Sequence, residues 1–115
     1  MTDRSAVIFG AEGFIGEYLL SHLQRQRIAT TAASLTAIPA GRRVAGARYF
    51  TPCDVTDERR VRAVITRVRP DFVYHLAAIS LPTISWKQPW RTLEVNVRGT
   101  LNILESVRRL GIDSR

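Results

Sequence analysis

Apolar positions fall along the chain in two alternating rhythms. Residues 6–9 form a short continuous apolar run, the pattern of a strand buried on both faces. After a glycine-rich stretch, Phe14, Ile15, Tyr18, Leu19, His22 and Leu23 recur three and four residues apart, which predicts a helix ending near 25–27. Residues 28–34 are small and β-branched and predict a second strand. Pro39, Gly41 and Gly46 then mark residues 36–48 as a loop, and residues 47–53 predict a third strand. Asp57 is placed to N-cap a helix over 58–68, with Val61, Val64, Ile65 and Val68 on one face and Pro70 as its stop. Asp71 opens a fourth apolar strand over 72–78. A loop with two prolines is expected over 79–89, and one long helix over 89–110, closed by Gly111. Gly99 inside that helix costs about 1 kcal/mol against alanine, which implies a close packing reason.

The order β-α-β-β-α-β-α predicts an α/β architecture, a parallel sheet with helices on both faces. At 115 residues and 45% hydrophobic content, one globular domain is the expectation. A disulfide framework is excluded by the single Cys53, and a secretory leader by the polar opening and the early Gly10, Glu12 and Gly13. No apolar stretch approaches the roughly 18 residues of a membrane span. A cytoplasmic protein without a membrane partner is therefore expected. The net charge of +7 is carried almost wholly by arginine, Lys87 being the one lysine. Because the arginines are dispersed, they read as solvated surface and not as a nucleic-acid footprint.

The chemistry concentrates in Gly10-Ala11-Glu12-Gly13-Phe14-Ile15-Gly16. Three glycines spaced three apart follow a strand and open a helix, the context that makes such spacing meaningful. Gly10 permits the turn, Gly13 leaves the backbone amides open to a pyrophosphate, and Gly16 allows close helix–sheet packing. The free N–H groups and the positive helix end then face the phosphates.

These residues resemble the extended short-chain dehydrogenase/reductase family of NAD(P)-dependent nucleotide-sugar epimerases, dehydratases and reductases. Four segments carry the resemblance: Gly13-Phe14-Ile15-Gly16, Cys53-Asp54-Val55-Thr56-Asp57, the strand ending Leu76-Ala77-Ala78, and Asn96-Val97-Arg98-Gly99-Thr100. The loop Ser85-Trp86-Lys87-Gln88-Pro89 is similar to the branch acting on GDP-mannose. The resemblance implies a Rossmann-type doubly wound sheet, cut to about four strands in the order 3-2-1-4. It further implies that the chain is the amino-terminal part of the cofactor domain, without a substrate domain.

By the same resemblance, Gly10, Gly13, Phe14, Ile15 and Gly16 hold the pyrophosphate side of a dinucleotide. Asp54 and Val55 meet the adenine edge, and Leu76, Ala77 and Ala78 border the cofactor. Asn96 supports a water near the active-site lysine of such enzymes, and Ser80 touches the sugar or the nicotinamide. Ser34 stands where an NAD-preferring enzyme places an acid on the ribose 2′-hydroxyl. A neutral residue there, with Arg42 or Arg43 available to a 2′-phosphate, leans the choice toward NADP over NAD.

The family's Tyr-x-x-x-Lys does not occur, since Tyr18, Tyr49 and Tyr74 are followed four residues on by His22, Cys53 and Ala78. The expectation is a cofactor half-site, inactive by itself, from an enzyme that transfers hydride at a hexose carbon. The alternatives are a non-catalytic nucleotide-binding module or a truncated gene product. His75 is read as structural, and Trp86 and Trp90 as packing anchors. With no fifth strand, the edge of the fourth is expected to be open to self-association.

Overall fold

The computed structural model describes residues 3–35, 47 and 49–115. Four strands, β1 (Ser5–Phe9), β2 (Ala29–Ser34), β3 (Tyr49–Pro52) and β4 (Phe72–His75), form one sheet in the order β3-β2-β1-β4. All three pairings are parallel, with Val7 opposite both Thr31 and Val73. The Rossmann-type order expected from the glycine loop is the order found.

Alternation along the strands splits the core in two. Ala6, Ile8 and Ala32 face α1 (Phe14–Arg25) and meet Ala11, Leu20 and Leu23. Val7, Phe9 and Ala33 face the other way, with Val61, Val64 and Ile65 of α2 (Glu58–Val68) and with Val95 and Ile103 from the last helical stretch. Burial on both faces explains why β1 is apolar without a polar interruption. Asp57 caps α2 by accepting from the Arg60 backbone N–H at 3.1 Å, and Arg69 ends it in the left-handed region at φ 45° before Pro70.

Residues 79–110 depart from the expected loop and single helix. A short helix, α3 (Pro82–Lys87), begins with proline in its first turn, where no N–H is needed. Gln88 breaks the path at φ −132°, and α4 (Pro89–Leu93) restarts it. One widened π turn over Glu94–Arg98 then leads into α5 (Gly99–Leu110). Composition predicts helix here correctly, but apolar spacing cannot register a one-residue offset in the hydrogen-bond ladder. Trp86 and Trp90, expected to anchor the loop, are instead 86% and 80% exposed, because both lie on helical segments whose inner faces are taken by other residues.

The edge of β4 is partly covered. The Val73 N–H donates to the Arg115 carbonyl at 2.8 Å, and the Arg115 N–H donates to the Asp71 carbonyl at 2.9 Å, the bracketing of a parallel bridge. Among the described residues no helix is long and apolar enough to cross a membrane, and no group of His, Cys, Asp and Glu side chains is placed to hold a metal ion.

Candidate functional site

The carboxyl ends of the four parallel strands bring together Gly10, Ser34, the Cys53–Asp54–Val55 turn and Leu76–Ala77–Ala78. Chain order reverses between β2-β1 and β1-β4, so a crevice opens there, the place where sheets of this kind bind ligands.

Gly10 sits at φ +85°, and its N–H donates to the Ala33 carbonyl at 2.9 Å. A Cβ on it would come within 2.5 Å of the Ala77 nitrogen, so this glycine is dictated by packing between two strand ends. Gly16 is equally constrained, a Cβ there meeting the Ala11 carbonyl oxygen at 2.5 Å. Gly13 is different. It N-caps α1 at φ −76°, a conformation open to any residue, and a Cβ on it would find nothing nearer than the Gly10 carbonyl oxygen at 3.7 Å. It also offers no side-chain cap, so the first turn of α1 lacks an internal acceptor from that residue. Phe14 and Ile15 follow it, 77% and 66% exposed, with Phe14 edge-on to Tyr18.

At the far end of the crevice Asp54 is held tightly. Its Oδ1 accepts from the Thr56 N–H at 3.0 Å and the Thr56 hydroxyl at 2.8 Å, while Oδ2 accepts from Arg91 Nη2 at 3.1 Å. Partial burial opposes ionisation, but the two Thr56 bonds and the Arg91 guanidinium outweigh it and hold the carboxyl below its ordinary range. Val55 is buried, its carbonyl accepts from Asn102 Nδ2 at 2.9 Å, and its Cγ2 fills the space a Cβ on Gly99 would need. That contact is the packing reason implied by a glycine inside the helix. Neighbouring Cys53 is buried, which pushes its thiol up to about 11 and leaves it protonated and inert.

Asn96 projects from the π turn and clamps the strand-β4 loop. Its Oδ1 accepts from the Ile79 N–H at 2.8 Å and its Nδ2 donates to the Ile79 carbonyl at 2.9 Å. The next residue, Ser80, is thereby presented at the surface. His75 Nε2 lies 2.9 Å from the Thr100 hydroxyl, which itself donates to the Asn96 carbonyl at 2.7 Å. The hydroxyl therefore accepts from His75, fixing the Nε2–H tautomer and leaving Nδ1 buried without a partner. Burial pushes the His75 pKa down.

Ser34 is buried at the end of β2, where its carbonyl accepts from the Cys53 N–H at 2.7 Å. Arg42 and Arg43 lie outside the described residues. The sequence reading missed Arg91 and Thr56. No local signal marks Arg91, which reaches a carboxylate 37 positions away through the turn at Gln88.

A family model described as "NAD dependent epimerase/dehydratase family" matches residues 6–115. The chain belongs to this family. A GDP-mannose 4,6-dehydratase from Sinorhizobium fredii is one epimerase/dehydratase-type relative, 31% identical over 127 aligned positions covering 100% of this chain and 36% of its own length. Among solved structures, UDP-glucose 4-epimerase of Thermus thermophilus in complex with NAD is 28% identical with a TM-score of 0.81, over 94% of this chain and 35% of that one. L-threonine dehydrogenase from Clostridium difficile is 26% identical with a TM-score of 0.80, over 96% of this chain and 35% of that one. The epimerase/dehydratase fold present here thus spans about a third of the length of these relatives.

Proposed function

We propose that the chain binds the adenosine and pyrophosphate portion of NAD(P), with the diphosphate on the first turn of α1. Gly13 carries this reading. Neither its backbone angle nor its surroundings requires a glycine, in contrast to Gly10 and Gly16. A missing side chain with room around it is accounted for by a ligand that must reach the backbone amides. The NAD held by the Thermus epimerase, whose fold this chain shares, supports the same reading.

Asp54 and Val55 would take the adenine edge, and Leu76, Ala77 and Ala78 the floor beneath the cofactor. Neutral Ser34 at the end of β2 favours NADP. The nucleotide-sugar class of substrate, with Ser80 facing it, follows from the dehydratase relative. The threonine dehydrogenase shows that the same architecture also serves an enzyme named for another substrate. These 115 residues contain no Tyr-x-x-x-Lys, so the chain by itself is expected to bind without turnover. A cytoplasmic setting and self-association through the part of the β4 edge beyond Arg115 belong to the same proposal.

Calorimetric titration with NADP, NADPH, NAD and NADH tests it, with Gly13→Val as control. Saturable binding that the control loses while its thermal transition stays in place supports the reading. Equal binding by both proteins, or none by the folded chain, refutes it.

A further inference from the structure

Arg91 is a side chain without a role in the reading above, yet it lies against the residue proposed to meet the base. Its Nη2 donates to Asp54 Oδ2 at 3.1 Å, its Nη1 lies 3.5 Å from the Thr56 hydroxyl, and Glu94 Oε2 stands 3.8 Å from Nη1. Asp54 is thus gripped from both sides, by Thr56 on Oδ1 and by Arg91 on Oδ2. The following residue, Val55, is fixed in turn by Asn102 and Gly99. A carboxylate offers about four lone-pair directions, and three are taken. What remains is one acceptor in a fixed orientation at the edge of the crevice.

We propose that Arg91 is a positioning residue for base selection: it locks Asp54 so that the remaining acceptor chooses a purine bearing a 6-amino donor over one bearing a 6-oxo acceptor. The inference rests on the dinucleotide-binding reading. Arg91 serves it in two ways. Its planar fork bridges Asp54 and Thr56, which removes the rotational freedom of the carboxylate. Its charge also offsets that of Asp54, so an acidic base reader stands near an anionic ligand without net repulsion. A hydrogen bond to an ionised acceptor is among the stronger kinds, and a 6-oxo group facing the same oxygen replaces attraction by repulsion.

The test compares NAD with nicotinamide hypoxanthine dinucleotide, which differs only in carrying a 6-oxo group, by titration of the chain, Arg91→Met and Asp54→Asn. The unaltered chain is expected to prefer the adenine form by about tenfold or more. In Arg91→Met and in Asp54→Asn the preference falls to within about threefold, with circular dichroism unchanged. If Arg91→Met does not fold, Arg91→Lys carries the comparison, since an ammonium cannot hold the bridge in one plane and the preference again drops. A tenfold preference retained without Arg91 overturns the proposal. So does an equal loss of affinity for both dinucleotides, which marks a merely structural contact. Equal binding of both by the unaltered chain overturns base selection but leaves dinucleotide binding standing. Binding of neither overturns both.

Discussion

The two ends of the crevice are built on different principles. At the glycine loop, shape is set by backbone alone, over seven consecutive residues, and a single Cβ at Gly10 or Gly16 collides with main-chain atoms at 2.5 Å. At the Asp54 turn, shape is set by side-chain hydrogen bonds gathered from Thr56, Arg91 and Asn102, on segments up to 48 positions apart. The first is rigid because nothing fits into it. The second is rigid because several donors agree on one carboxylate and one carbonyl. An error in the first is expected to threaten the fold, whereas an error in the second loosens a site.

The sharpest way to break this contrast is to add one methyl group at Gly10. Gly10→Ala places a Cβ at φ +85° against the Ala77 backbone, which costs about 3 kcal/mol or more, a large share of a small domain's stability. Chemical denaturation is expected to show a chain largely unfolded. Gly13→Ala, three residues on, should change stability by about 0.5 kcal/mol at most, and parity between the two variants would end the distinction drawn between these glycines.

Next in size is Asn96→Leu. It removes both bonds to the Ile79 backbone and is expected to cost about 1–3 kcal/mol in urea titrations. The accompanying change should be faster amide exchange at residue 79, localised to the loop.

His75 gives a pH dependence of known sign. Burial lowers its folded-state pKa, so the unfolded chain binds the proton more readily. The stability that neutral His75 contributes is therefore present above the ordinary histidine range, near pH 6.5, and is lost as pH falls through that value toward the lower folded one. Protonation would also put a donor on buried Nδ1, which has no partner. His75→Leu should flatten that part of a melting-temperature profile, and an unchanged slope would place the titration elsewhere. The smallest expected effect is Asp57→Ala, about 1 kcal/mol from losing the cap of α2, with dinucleotide binding intact.

How much of this was readable in the sequence follows the same divide. β1, the glycine loop and α1 are local, so apolar rhythm and glycine spacing locate them closely. Asp57 and Pro70 delimit α2 because capping and helix breaking act over a few residues. The resemblance also indicated the strand order, since four motifs occur in one sequence order. Neither Arg91 on Asp54 nor Asn96 on Ile79 was legible, because each contact exists only after the segments around Gln88 and the π turn have taken their paths. Trp86 and Trp90 misled for a related reason. Size and apolarity argue for burial, but exposure is decided by which way a helix faces once its neighbours are in place.

The π turn at Glu94–Arg98 has a consequence for length variation. A turn of this kind contains one residue more than the regular ladder requires. Loss of a single residue between 94 and 98 would restore the ordinary ladder and swing everything beyond it by about 100° around the helix axis. Ile103 and Ser106 would leave the sheet, and Gly99 would no longer meet Val55. In this helix, the number of residues before Gly99 governs packing as strictly as their identity.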